Sequence, residues 1–364
     1  MKRDLFVFAG QSNMMGASVY PPKRKIAVKN SFEYKHKMHR LGKDTGDFVL
    51  ADFPSGEFSY SDIDIAYAPN MVNEKGESLL DDYAKNTFFC PSMSNLKCDK
   101  AKTEFPFDTF SEATAQCGVT LAPILAEEWE NEGGACAYAH IAKGGVNISH
   151  FMTDKMAEQY AVRIEAYNKA HGTHYSTVMR SRMTGAADYF IEKCRNFFDD
   201  AQKHFQNDVM ENKCFFWLQG ESDAKKSIIE YEIKLDILWG ELKSLGFTHF
   251  FCIRVDFFGN EDIWKVMQAQ ENFVSRHTDA YMLTRAASYF TYAGRDESEW
   301  FVTPPTEEYQ YCRDSFYGYS NQHINEKGFA FIAERAVKNL RRILINREEP
   351  LLEEENIQPL NRKE

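Results

Sequence analysis

Leu5-Phe-Val-Phe-Ala9 is an apolar run with no helical period, closed by Gly10. Such a run reads as a buried strand. Similar short runs recur at Ala135 to Ala142, Cys214 to Leu218, His249 to Val255 and Ala280 to Leu283. Between them lie segments with helical spacing: Val119 to Glu130, Ala186 to Phe205, Ser227 to Leu245 and Trp264 to Arg276. In Ser227 to Leu245, for example, Tyr231, Leu235, Leu238, Leu242 and Leu245 share one face. A last helix starts at Asn325, whose side chain suits an N-cap, and carries the stripe Phe329, Ile332, Ala333, Ala336, Val337 and Leu340. Strands alternating with helices predict a mostly parallel sheet covered on both faces.

With 364 residues the chain has room for one large domain or two small ones. We read residues 1–347 as a single domain, with 17–116 as an insertion and 348–364 as a loose charged tail. A hydrophobic fraction of 43% and an aromatic fraction of 14% place it among globular proteins. The net charge of -11 argues against nucleic acid as a partner. No apolar run approaches the ~20 residues a membrane span needs. Met1-Lys-Arg-Asp4 leads straight into the first strand, so the expectation is no cleavable signal and a cytoplasmic location. The eight cysteines form no C-x-x-C pair and read as reduced core thiols.

The insertion has poor periodicity and many turn residues. Lys23, Arg24, Lys25, Lys29, Lys35, Lys37, Arg40 and Lys43 make its first part basic, either as a solvated face or as a patch for an anionic substrate. Asp44 to Lys102 alternates acidic and aromatic residues and carries no secondary-structure assignment. Placed directly after the first strand's turn, the insertion is expected to border the mouth of any site there.

Three glycine-marked turns follow predicted strands: Gly10-Gln-Ser12, Gly144-Gly145 and Gln219-Gly-Glu-Ser-Asp223. His323 stands two residues before the last helix. A parallel sheet would gather all four at one edge, where ligands collect in open α/β folds. Acyl transfer needs such a set: a hydroxyl nucleophile, an imidazole base, a carboxylate to hold the imidazole, and donors for the oxyanion. Ser12 is a candidate nucleophile, although a serine in that place also serves as a helix cap. It is not the lipase-type elbow, because Asn13 and Met14 stand where G-x-S-x-G wants its second glycine.

Ala9-Gly-Gln-Ser-Asn-Met14, Lys143-Gly-Gly-Val146, Trp217-Leu-Gln-Gly-Glu-Ser-Asp-Ala224 and His323-Ile-Asn-x-x-Gly328 occur in this order. Together they resemble the SGNH hydrolase superfamily, and within it the carbohydrate esterases of the sialate O-acetylesterase and acetylxylan esterase group. The resemblance covers residues 3 to 16 and, more loosely, 117 to 345. It implies a three-layer α/β/α fold with flavodoxin-like winding. It also implies removal of acetyl groups from sugar hydroxyls without a metal or other cofactor. Ser12 takes the nucleophile's place and His323 the base's. The backbone N–H groups of Ser12 and of Gly144 or Gly145 fall where the superfamily builds its oxyanion hole. The third donor is the Gln219 amide or, with the turn aligned differently, Ser222.

One departure stands out. The superfamily places an aspartate three residues before the histidine, and this chain has Ser320 there. Serine accepts a hydrogen bond but supplies no charge to an imidazolium. Glu221 is the leading substitute, with Asp314 the other candidate. The implied partner is an acetylated carbohydrate, with no nucleic acid and no membrane. Two rival functions share the motifs: an O-acetyltransferase, and a glycan-binding protein with impaired catalysis.

Other residues read more plainly. His171 and His174 form an H-x-x-H pair with no accompanying carboxylate or cysteine motif, so they predict no metal site. Asp223 is either an acceptor behind the site or a helix cap. Tyr289, Phe290, Tyr292 and Trp300 are either core or a stacking wall for a sugar ring.

Overall fold

The computed structural model describes residues 1–16, 26–37, 45–51, 120–142, 144–179, 186–255, 262–292 and 323–352. Strand β1, Lys2–Gly10, is buried from its second residue onward. Its side chains alternate between two cores, Leu5, Val7 and Ala9 on one side and Phe6 and Phe8 on the other. Both faces are covered, which is why the run is apolar throughout.

Among the described residues six further strands join the sheet: β2 (Phe32–Lys37), β3 (Thr45–Leu50), β4 (Cys136–Ala142), β5 (Val209–Leu218), β6 (His249–Ile253) and β7 (Ala280–Thr284). Their order is β3-β2-β4-β1-β5-β6-β7. Only β3 runs antiparallel to its neighbour. From β4 to β7 the order is doubly wound: β4 lies on one side of β1, and β5 to β7 follow on the other. The crevice in such a sheet lies outside the carboxyl ends of the strands, at that reversal.

Helices flank both faces in a three-layer α/β/α arrangement. Helices α3 (Asp154–His171), α4 (Ala186–His204), α5 (Ile228–Ser244) and α6 (Ile263–Arg276) cover the Leu5 side. Helices α2 (Leu121–Asn131), α7 (Ala286–Tyr292) and α8 (Glu326–Arg341) cover the Phe6 side. The one-turn helix α1, Ser12–Met15, sits at the end of β1. Ser227 caps α5 by accepting from the Glu230 N–H, and Asn325 caps α8 by accepting from Lys327 and Gly328. Among the described residues no helix is long and apolar enough to cross a membrane.

The structure differs from the sequence reading in three places. Residues 17–116 contribute two strands, β2 and β3, which were not expected from their composition. The side chains of Lys23, Arg24, Lys25, Lys35, Lys37, Arg40 and Lys43 lie outside the described residues. Helix α3 was not expected either. It buries only Met156, Tyr160 and Ile164, and most of its remaining surface is charged or polar, with Val162 exposed. His171 is its last residue. The charged stretch after α8 begins in place, because Leu351 N–H donates to Asn339 Oδ1 at 2.8 Å. Residues 353–364 lie outside the described residues.

Candidate active site

The site starts from a steric requirement. Gly10 lies so close to β5 that a Cβ there would sit 2.0 Å from the Leu218 carbonyl oxygen. Only glycine fits, and the chain turns out of the sheet at that point. Gln11 N–H still donates to the Leu218 carbonyl at 3.3 Å. Ser12 follows as the first residue of α1, and Gly16 ends the turn in a left-handed conformation at φ +83°. Gln11 occupies the N-cap position and no side chain caps this helix, so Ser12 is not a cap. It is half-buried, while Met14 and Met15 pack into the core.

The three strands that carry the turns end level. Gly10 pairs with Ala142 of β4 on one side and with Leu218 of β5 on the other. The loop at Gly144-Gly145 and the turn 219–223 therefore flank Ser12. A Cβ on Gly144 would stand 3.9 Å from the Ser12 Cβ, ordinary contact distance. Gly145 has φ +71°.

Side-chain hydrogen bonds join these segments. Gln219 is fully buried, and its Nε2 lies within 3.2 Å of Gln11 Oε1, 3.1 Å of the Val146 carbonyl and 2.7 Å of Asp223 Oδ2. Gln11 Oε1 also accepts from the Ser222 N–H at 3.2 Å. Asp223 Oδ2 accepts from the Ile148 N–H at 2.7 Å. Asp223 is thus an acceptor that fixes the 144–148 loop and not the cap of α5. The amide of Gln219 has two protons for three acceptors, so none remains for an oxyanion. The expected third donor is a structural bridge instead.

Asn13, next to Ser12, is 2% exposed. Its Nδ2 donates to Glu221 Oε1 at 2.8 Å, and its Oδ1 accepts from the Ile324 N–H at 3.0 Å. The peptide following His323 is thereby fixed to the residue following Ser12. His140 on β4 supports the same turn from below, with Nε2 2.7 Å from the Met14 carbonyl. Burial lowers His140 to about 4, so it is neutral and donates from Nε2.

Burial dominates the electrostatics. Glu221 is raised to about 7, chiefly by burial, against hydrogen bonds from its own N–H, the Asn13 amide and the Gly220 N–H that favour the carboxylate. Among the described residues its Oε2 has no hydrogen-bond partner. Burial also raises Asp223, with the ammonium of Lys234 opposing the shift. His323 is lowered by burial. Its imidazole is therefore neutral at pH 7, the form a general base requires.

Asn13, Gln11 and His140 escaped the sequence reading. Asn13 and Gln11 lie inside the Ala9 to Met14 motif, and an amide beside the candidate nucleophile was the available signal. His140 had none beyond being a histidine in an apolar strand. Ser320, Asp314, Lys143 and Trp300 lie outside the described residues. Phe290 is buried core, and Tyr289 stacks on Phe331 with centroids 5.8 Å apart. Cys136, Cys194, Cys214 and Cys252 are buried free thiols.

No family model and no curated protein sequence matches this chain. Solved structures resemble it at low identity. A protein from Arabidopsis thaliana aligns over 93% of this chain and 99% of its own, with 11% identity and a TM-score of 0.42. A carbohydrate acetylesterase from Xanthomonas citri aligns over 95% of this chain and 57% of its own, with 12% identity and a TM-score of 0.43. NanS aligns over 94% and 97%, with 11% identity and a TM-score of 0.46.

Proposed function

We propose that this chain is a serine esterase that removes acetyl groups from carbohydrate hydroxyls through an acetyl-enzyme on Ser12. The observation that carries the reading is the bonding of four separate motifs at one sheet edge. Gln11, Asn13, Gln219 and Asp223 tie the Ser12 turn, the 144–148 loop, the 219–223 turn and the His323 segment together. The acetylated-sugar substrate rests on the resemblance of those motifs to carbohydrate esterases.

In this mechanism the Ser12 Oγ attacks the acetyl carbonyl carbon while neutral His323 takes its proton. The carbonyl oxygen becomes an oxyanion facing the backbone N–H groups of Ser12 and of Gly144 or Gly145. The sugar oxygen leaves with the proton from His323. Water, deprotonated by the same imidazole, then attacks the acetyl-serine; the bond to Ser12 Oγ breaks, His323 returns the proton to that oxygen, and acetate leaves. Glu221 in its carboxylate form acts on the imidazolium through space and through the Asn13 bridge, because its Oε1 accepts from Asn13 and its Oε2 has no hydrogen-bond partner among the described residues.

Purified protein incubated with a panel of acetylated sugars should release acetate, and a serine-directed phosphonate should label Ser12. Ser12→Ala should lower turnover of an aryl acetate by roughly 10³-fold or more without unfolding the chain. Near-normal turnover in that folded variant would overturn the assignment.

A further inference from the structure

Asn13 holds two partners at once. Its amide donates to Glu221 Oε1 at 2.8 Å and accepts the Ile324 N–H at 3.0 Å. The Ile324 nitrogen belongs to the peptide plane formed with the carbonyl carbon of His323. Clamping that plane restricts where the His323 Cα lies. Ile324 is itself 1% exposed and belongs to the core that also holds Met14, Met15 and Phe329, so the clamp has a buried footing. Glu221 is 6% exposed.

These two bonds place opposite demands on one side chain. The peptide N–H needs an acceptor, and a carboxylate needs a donor. A primary amide supplies both from one planar group at any pH, whereas a carboxyl does so only when protonated. Aspartate would satisfy the peptide but face Glu221 with a second carboxyl. Leucine, of similar size, would satisfy neither.

We propose that Asn13 is a positioning residue that couples Glu221 to the His323 segment, setting both the histidine's place and the charge state of the acid. This rests on the esterase reading of the site. Asn13 does not touch substrate in this scheme. Its donated bond favours the Glu221 carboxylate, against burial and against Asp223, the other acid on that turn. From α5 and α6 the same turn also meets Tyr231 and Gln270, both bonded to Gln219, and the ammonium of Lys234, which acts on Asp223.

The test uses the full-length protein with Asn13→Asp and Asn13→Leu. Turnover of a small aryl acetate is measured across pH, and the Glu221 carboxyl stretch is followed by infrared difference against Glu221→Gln. Asn13→Asp should move the Glu221 titration and the acidic limb of kcat upward by about one pH unit or more, with KM changed less than about twofold. Asn13→Leu, losing both bonds, should lower kcat by roughly 10²-fold. A Glu221 titration and limb at the wild-type pH in folded Asn13→Asp would overturn the coupling. So would equal kcat losses in both variants with the limb unmoved, which is what packing alone would give. The infrared titration does not depend on turnover. If the wild-type chain shows neither ester turnover nor Ser12 labelling, the esterase reading falls, and the carboxyl stretch still decides the coupling.

Discussion

A side-chain carbon placed on Gly144 would stand 3.9 Å from the Ser12 Cβ and 3.5 Å from the Met15 Cε. The glycine loop after β4 thus lies against the turn after β1. That contact leaves room for a methyl group and for little more. Gly144→Ala should fold and retain most activity. Gly144→Val should crowd the approach to Ser12 and slow phosphonate labelling by about tenfold or more, since near-attack geometry tolerates little displacement. Equal labelling rates in both variants would place the loop outside the reaction path.

Glu221 links activity to pH in one direction and stability in the other. Its carboxyl is raised to about 7 by burial, from 4.5. Turnover that needs the carboxylate should rise as pH increases through about 7. His323 is lowered below 6.5, so its own limb lies further toward acid. Stability runs the opposite way. A raised folded-state value means that the protonated form is favoured by folding, and this contribution is present below 4.5 and lost as pH rises through about 7. The difference is on the order of 3 kcal/mol. Glu221→Gln should therefore melt higher than wild type at about pH 8 and equally near pH 4, while losing roughly 10²-fold or more in turnover. Thermal melts at both pH values check the first half, and no stabilisation at alkaline pH would contradict the buried carboxylate.

Asp223 holds the 144–148 loop and also faces a buried cation. Its Oδ2 accepts from Ile148 and Gln219 at 2.7 Å each, and the ammonium of Lys234 on α5, 3% exposed, favours its carboxylate form. Asp223→Ala would remove two bonds and leave Lys234 with Glu230 as its remaining attracting charge. The expected loss is about 3 to 5 kcal/mol in denaturant unfolding, with turnover falling as the loop loosens. Asp223→Asn keeps an oxygen for Ile148 and should cost markedly less. Matching losses in the two variants would mean that the loop bond does not matter.

Gly220 sits at φ +150°, and a Cβ there would meet Val266 Cγ1 at 2.4 Å. Gly220→Ala should destabilise the chain by about 2 kcal/mol or more, because the turn is pressed onto α6. Adding Val266→Ala should recover the steric part and not the backbone part. A double variant no more stable than Gly220→Ala would show that Val266 is not the obstacle.

Much of this architecture was readable because burial on both faces leaves a local mark. The strand cores from Leu5, Cys214 and His249, and the helices at Ser227 and Asn325, follow from apolar runs and stripes that neighbouring residues define among themselves. The pair β2 and β3 left no such mark, since β3 at the rim and β2 beside it owe their state to the strands they pair with. Helix α3 buries three side chains four residues apart, too sparse a stripe to register against its polar remainder.

The site divides along the same line. Residue types after strand ends gathered Ser12, Gly144 and Glu221, and the place before the last helix added His323, as candidates, because a parallel sheet brings its carboxyl ends to one edge. The roles of the amides were not readable. Gln219 and Asn13 are chemically equivalent as donors and acceptors, and the sequence reading assigned the exposed role to Gln219. Tertiary packing placed Gln219 in the core among three acceptors and set Asn13 between Glu221 and the His323 peptide. Hydrogen bonds between residues more than 200 positions apart depend on where separate strands end in space. No local pattern in the chain encodes that distance.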